Sequence, residues 1–449
     1  MKLVWAGAIA ALSLPAPPAL AASAPLDLVT RVCHPGRQGA PYAGCALEAT
    51  GGTPPYRFVI NESNDFPPLP EGLTLDAETG EVSGAQIGGQ GSYNPRLVVV
   101  DSAGDRAGPQ VRFSISGTNA FLATIFPANS IFHHRVDAAS TGLPVDASPA
   151  APIYYGYQSA TIKPFFGNES NEPFPNGIPA FFVPSGQADV GVTTTVYQSY
   201  FTDGPIPQNA PIEGTSHSTG DRHVLIYREA GSGLPPALYE MWQGIAQGSG
   251  WTDSSNALWT DVTSNALTPQ GNGTTDAAGL PVAPLLLNAD EVIGTGTTAE
   301  PNGVVRHPVR FTVNHMLNYW VWPATQSAGT GDCLAGNAGI PTESLISQSA
   351  PPTYCSMSGP AGEIYRLKAS TPNPSCAGDS PQAAIIIAGF RNYGIILADN
   401  GESGGLIGTP DSRWSDEDLA CLTSLTLADF EPVNVSSLMV SESSGATAR

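Results

Sequence analysis

Proline and glycine recur from one end of the chain to the other, and this most limits what it can fold into. There are 49 Gly and 42 Pro in 449 residues, about a fifth of the chain where about an eighth is usual. They follow no short period, which excludes a collagen helix and a single low-complexity tract. Both residues are poor helix formers, which argues against a helix-rich protein. Hydrophobic residues still make up 41% of the sequence, enough for a sizeable core. The expectation is a mostly β protein of short strands and many turns, with room for two or three domains.

Charge and cysteines suggest a compartment. Lys plus Arg number 18 against 39 Asp plus Glu, a formal net charge of −21. A surface this acidic repels phosphate backbones and anionic membranes, so no nucleic-acid partner is expected. Lys2, the apolar run Leu3 to Leu14 and Ala19-Leu20-Ala21 read as a signal peptide over 1–21, cut before Ala22. No later stretch is long and apolar enough for membrane insertion. The chain is therefore expected to be secreted, periplasmic or cell-surface. Six cysteines in that setting suggest disulfides. Cys33 and Cys45 form the natural local pair. Cys333, Cys355, Cys376 and Cys421 allow three connectivities, of which Cys333–Cys355 with Cys376–Cys421 is favoured.

Residues 27–117 read as a small all-β module. Arg57–Ile60, Arg96–Val100 and Val111–Ile115 are β-branched and aromatic runs separated by turn residues. Its motifs are Gly52-Thr53-Pro54-Pro55-Tyr56, Leu69-Pro70-Glu71-Gly72-Leu73-Thr74-Leu75, Thr79-Gly80-Glu81-Val82-Ser83-Gly84, and Val99-Val100-Asp101 with Gly104. In this order they resemble the Ig-like (cadherin-like) repeats of bacterial surface proteins. The resemblance implies an Ig-like β-sandwich acting as a spacer or adhesion module rather than a catalyst. Asp101 and Asp105 read as turn residues.

Residues 118–434 read as a larger β-sandwich-like domain with a few short helices. Strands are expected at Gly191–Tyr200, Arg222–Arg228, Val304–Val313, Tyr319–Pro323 and Gly394–Ala398. Helices are expected at Pro149–Gln158, Pro381–Asn392 and Ser415–Leu425, the last capped by Ser415. Residues 435–449, rich in Ser, are expected to be a disordered tail. Several motifs span about two hundred residues: Ala210-Pro211-Ile212-Glu213-Gly214, Asp221-Arg222-His223-Val224-Leu225, Asp276-Ala277-Ala278-Gly279-Leu280-Pro281, Arg306-His307 with Arg310-Phe311-Thr312-Val313, Val321-Trp322-Pro323-Ala324, and Tyr393 through Gly401. Together they resemble a family of secreted bacterial proteins. That resemblance implies a domain boundary and carries no activity.

Chemistry is read from the residues themselves. Asp221 and His223 are two apart on an expected strand and so share a face, where a carboxylate can orient an imidazole for acid–base work. The structural alternative is an ion pair at a strand start. Glu213 falls on a loop and Asp276 opens a turn or helix cap. Asp399 stands between an apolar strand and the turn dipeptide Asn400-Gly401. His307 enters the strand containing Arg310. All six acids and histidines sit at expected strand ends or adjoining loops, and two carboxylates facing a cleft suit glycosidic hydrolysis. Arg222, Asn400, Trp322 and Arg310 are candidate substrate contacts. Trp242, Trp251, Trp259, Trp320, Trp322 and Trp414 could stack on sugars, with core packing as the commoner role for each.

No Gly-x-Ser-x-Gly elbow, His-Glu-x-x-His or nucleotide-binding glycine pattern occurs. No cofactor is expected, although His223, His307 and carboxylates leave a divalent metal open. Adjacent His133 and His134 would point apart. The leading expectation is a secreted carbohydrate-active enzyme, a glycoside hydrolase acting on an extracellular polysaccharide. The alternative is a non-catalytic surface or matrix protein binding glycans or protein partners.

Overall fold

The structure is a computed structural model that describes residues 24–448. Excepted are 34–35, 38–41, 43, 62–68, 71, 85–90, 117–121, 123–124, 149–150, 152–157, 168–176, 209, 215–219, 272–273, 294–302, 330–358 and 412. The signal peptide, the Cys333–Cys355 pair and most of the Pro149–Gln158 helix lie outside the described residues.

The protein is mostly β, with several sheets and few short helices. In the N-terminal module, Arg57–Ile60 pairs antiparallel with Leu97–Val100, which in turn pairs with Arg106–Ala107. Phe113–Ser116 pairs antiparallel with Gly91–Tyr93 and parallel with Gly36–Arg37. Phe58, Val82, Tyr93, Leu97, Val99 and Phe113 are buried between these layers. Cys33 bonds to Cys45 as expected. Asp101 is a turn residue, its Oδ1 accepting from Ala103 N and Asp105 N at 3.0 and 2.9 Å.

The larger unit is built on two main sheets. One is four-stranded, in the order Ala180–Val183, Val224–Arg228, Ala237–Trp242, Ser255–Trp259. Both of its faces are covered. Leu225, Leu238 and Ala257 enter one apolar cluster, whereas Val224, Ile226 and Met241 enter another. Double burial explains why these strands read as near-continuous apolar runs instead of alternating. The other sheet is six-stranded and mixed, in the order Lys163–Pro164, Gly405–Leu406, Val309–Val313, Ile395–Asn400, Ile364–Leu367, Phe430–Pro432. The helix Pro381–Asn392 buries Ala383, Ile386, Ile387 and Phe390, the positions its periodicity picks out. Ser415 caps Asp416–Ala420 by accepting from Asp418 N, and a 3-10 turn Cys421–Ser424 continues it. Cys376 bonds to Cys421.

Several expectations need correction. The strand expected at Gly191–Tyr200 stops at Thr194, the one expected at Arg222–Arg228 begins at Val224, and the one expected at Val304–Val313 begins at Val309. Tyr319–Pro323 is not a strand; Trp320 makes a single bridge to Ala361, and the Trp322–Pro323 bond is cis. The tail at 435–449 is folded through its described residues. A 3-10 turn Ser436–Leu438 leads into a hairpin of Met439–Ser441 and Ser444–Thr447. Its Ser-rich composition hides its anchors. Leu438 is buried, Ala446 bridges to Ser130, and Trp322 Nε1 donates to Ser444 O at 2.9 Å.

Candidate functional site

A groove of about 290 Å³ is lined by Tyr197, Asp221, Trp242, Thr274, Thr275, Asp276, Ala277, Gln326, Ser327, Ala328, Asp399 and Asn400. Three of the carboxylates expected from sequence thus meet on one surface. Each arrives by a different local device.

Asp221 reaches the groove because the chain turns just before its strand. Arg222 has φ +47°, a left-handed conformation that breaks strand alternation. Asp221 is therefore exposed at the groove while His223 is buried. The shared face expected for this pair does not form. Asp221 Oδ1 instead accepts from Trp242 Nε1 at 3.0 Å. Trp242 and the exposed Tyr197 lie with ring centroids 5.9 Å apart, giving the groove an aromatic wall.

Asp276 is fixed by the turn its motif encodes. Oδ1 accepts from Ala278 N at 2.8 Å and from Leu280 N at 3.2 Å. Gly279 sits at φ +69°, where a Cβ would lie 2.2 Å from Thr325 Oγ1, so the turn requires glycine. The second oxygen, Oδ2, lies 3.0 Å from Arg310 Nη2.

Asp399 is placed by a β-bulge. Phe311 pairs with Leu397, but Thr312 pairs with Asp399, so Ala398 is the extra residue. Paired residues on parallel strands share a face, and side chains alternate. The extra residue therefore moves Asp399 from the face of Phe311 to that of Thr312 and Arg310. Asp399 Oδ2 lies 3.3 Å from Arg310 Nη2, and Oδ1 accepts from Asn400 N at 2.7 Å. Asn400 is spent on its surroundings: Nδ2 donates to Ala328 O and Oδ1 accepts from Met316 N.

Arg310 is the hub of this cluster. It is buried, and Asp276, Asp399, Glu213 and Glu240 all raise its pKa against desolvation. Its Nε and Nη1 have no hydrogen-bond partner. Burial, the largest cause, raises Asp399 to about 7; Asp276 adds to the rise and Arg310 opposes it. Burial likewise raises Asp276 to about 6, again against Arg310. Glu213, half-buried, is pushed up to about 8 by desolvation and then by Asp221. Its Oε2 accepts from His223 N at 3.2 Å, and its own N–H donates to His223 O. Desolvation lowers the His223 pKa, so its ring is neutral, and Nδ1 lacks a partner.

Sequence reading missed Glu240. It lies fully buried in Ala237–Trp242, and its carboxylate accepts from Val282 N, Ala283 N and Thr275 Oγ1. Desolvation raises it to about 7 against those donors. A charged residue inside an otherwise apolar strand was the available signal.

Other candidates fall elsewhere. His307 Nε2 lies 3.1 Å from Glu291 and Nδ1 is 3.0 Å from Pro308 O, a buried pair outside the groove. Its pKa is raised: desolvation, the largest influence, lowers it, but Glu291 outweighs that. Trp322 lies away from the groove, and Trp251, Trp259, Trp320 and Trp414 are buried in the core. Arg222 does not line the groove. His133 is tied to backbone, its Nε2 lying 2.8 Å from Ile125 O. Among the described residues, no three His, Cys, Asp or Glu side chains are grouped to hold a metal ion. No helix among them is long and apolar enough to cross a membrane.

Comparison with known proteins bears on the N-terminal module. Residues 40–118 match the family described as "Putative Ig domain", so this module is Ig-like, of the kind that suggests a cell-surface or adhesion-type protein. Among solved structures, a chimeric titin Z1Z2 carrying a KLER peptide from decorin shares 21% identity. That match covers 21% of this chain and 98% of the other, at TM-score 0.15. Extracellular cadherin domains 1–4 of protocadherin gamma B7 share 12% identity over 54% of this chain and 50% of theirs, at TM-score 0.17. The chain thus spans about half of that protocadherin structure, and scores this low carry no argument about the whole fold. No curated protein matches the chain.

Proposed function

We propose that the groove cleaves a glycosidic bond in an extracellular polysaccharide, with Asp399 as the proton donor and Asp221 as the opposing carboxylate. The observation that carries this reading is the convergence of Asp221, Asp276 and Asp399 on one groove, two of them sharing a buried arginine. A general acid works best when its pKa lies near the working pH. Asp399, raised to about 7, meets that requirement while its side chain keeps 19% exposure. Arg310, itself paired with Asp276, holds it in place. Trp242 orients Asp221, and with Tyr197 it offers a stacking surface for a sugar ring. Glu213 and His223 form a backing layer.

The test is to incubate the purified chain with a polysaccharide panel and analyse products. Asp399→Asn and Asp221→Asn should each cut turnover by about 100-fold or more. Turnover unchanged in both variants defeats the assignment.

The Ig-like module supports the coarser statement of a cell-surface or adhesion-type protein, and on a second reading the groove binds glycans or protein partners without cleaving them. That reading expects retention on a glycan array, no released product, and binding that survives both Asp→Asn changes.

A further inference from the structure

A second cavity, of about 210 Å³, shares no lining residue with the groove. Its wall includes Val321, Trp322, Ile364 and Val433, and its acidic groups are Asp146 and Glu363. Among the described residues, no Lys, Arg or His lines it. Glu363 is 3% exposed, and its Oε1 has no hydrogen-bond partner. The hydroxyl of the buried Tyr319, within electrostatic reach of Glu363, is also unpartnered. A buried polar group left without a partner is costly, and a ligand that met it would relieve that cost.

The lining selects the chemistry of that ligand. Hard divalent metals need about six oxygen donors. Beside the two carboxylates the lining residues with polar side chains are Ser148, Asn434 and Ser436, and Asn434 Oδ1 already accepts from Ser436 N and Oγ. Among the described residues no third acid, His or Cys joins the pair. An organic cation needs one or two carboxylates, apolar walls and an aromatic face. Trp322 spends its N–H on Ser444 O, so its ring remains as apolar and π surface.

We propose that this cavity binds a small organic cation, a primary or quaternary ammonium with an apolar body, whose charge is met by Glu363 and Asp146. Among the described residues, the titratable groups within electrostatic reach of Glu363 are Asp146 and the hydroxyls of Tyr319 and Tyr365. Tyr365 donates to Ala151 O at 2.7 Å. Burial first, and Asp146 second, hold the free Glu363 carboxyl well above its ordinary value. An arriving cation displaces that proton, so binding tightens as pH rises, by up to about tenfold per pH unit while free Glu363 is protonated.

The test is calorimetric titration of the full chain with benzylammonium chloride, with benzyl alcohol as the uncharged control. It is run at pH 6, 7 and 8 in two buffers of unlike ionisation enthalpy. The expected result is binding of the cation at least about tenfold tighter than the alcohol, with proton release. Glu363→Gln, neutral like the protonated acid it replaces, should fold, abolish proton release and weaken binding by about tenfold. Asp146→Asn should weaken binding but keep proton release. The proposal is overturned by no cation binding at about 10 mM, by equal affinity for the alcohol, or by proton release that persists in Glu363→Gln. The wild-type proton count tests it even where a variant does not fold.

Discussion

Replacing Arg310 with methionine tests the electrostatic logic of the groove most directly. The Arg310 side chain is 2% exposed and its Nη2 lies 3.0 Å from Asp276 and 3.3 Å from Asp399. At an effective dielectric constant of about 20, each contact is worth about 5 kcal/mol of gross attraction. Desolvation offsets much of this, but removing one partner of a buried pair leaves the other uncompensated, at about 3–5 kcal/mol. Both aspartates already sit above the unfolded value of about 3.9, at about 6 and about 7. The folded state therefore holds protons that the unfolded state has lost, and stability falls as pH rises from about 4 towards 7. Without Arg310 both folded values climb further and the fall extends to higher pH. Arg310→Met should thus cost about 3–5 kcal/mol at pH 8 and little at pH 4.5. Urea unfolding followed by tryptophan fluorescence suits this measurement, because every tryptophan after Trp5 lies in the larger unit. Adding Asp276→Asn and Asp399→Asn to Arg310→Met should recover most of the loss at pH 8. A loss below about 1 kcal/mol at pH 8, or one equal at both pH values, refutes the reasoning; failure of recovery assigns the cost to packing.

Three further outcomes are expected. Glu240→Leu should lower stability by about 1–3 kcal/mol or more, since the Val282 and Ala283 N–H groups and the Thr275 hydroxyl would lose their buried acceptor; a melting temperature matching wild type contradicts this. His307→Gln should leave any groove activity intact but remove a stabilisation present below about pH 6.5 that fades as pH rises through the raised folded value. Melting curves at pH 5.5 and 8.5 check the sign. Replacing Cys376 and Cys421 by serine opens a 45-residue loop and should cost about 4 kcal/mol by chain entropy, read as a shift in urea midpoint.

The candidate site was legible where a local motif positions the side chain. Asp276 stands in a turn that needs Gly279, and Asp399 follows an apolar strand, so composition and turn chemistry marked both. Arg310, expected only as a substrate contact, stands as a charge within an apolar run. Glu240 carried the same signal and was passed over among buried neighbours. Roles that depend on distant partners were not legible. His307 is claimed by Glu291 sixteen residues away, and Trp322 by the C-terminal hairpin. The Asp221–His223 pairing failed because strand alternation was extended one turn too far, through a residue with positive φ.

The bulge at Ala398 makes the groove a matter of odd and even. Asp399 faces Arg310 because one supernumerary residue interrupts the count between Leu397 and Asp399. Deleting Ala398 would leave the carboxylate in the sequence yet send it to the opposite side of the sheet. Conversely, a chain with this strand but without the inserted residue would keep the fold and lose the acid. Spacing, rather than residue identity alone, is what a relative would have to preserve to share this arrangement of side chains.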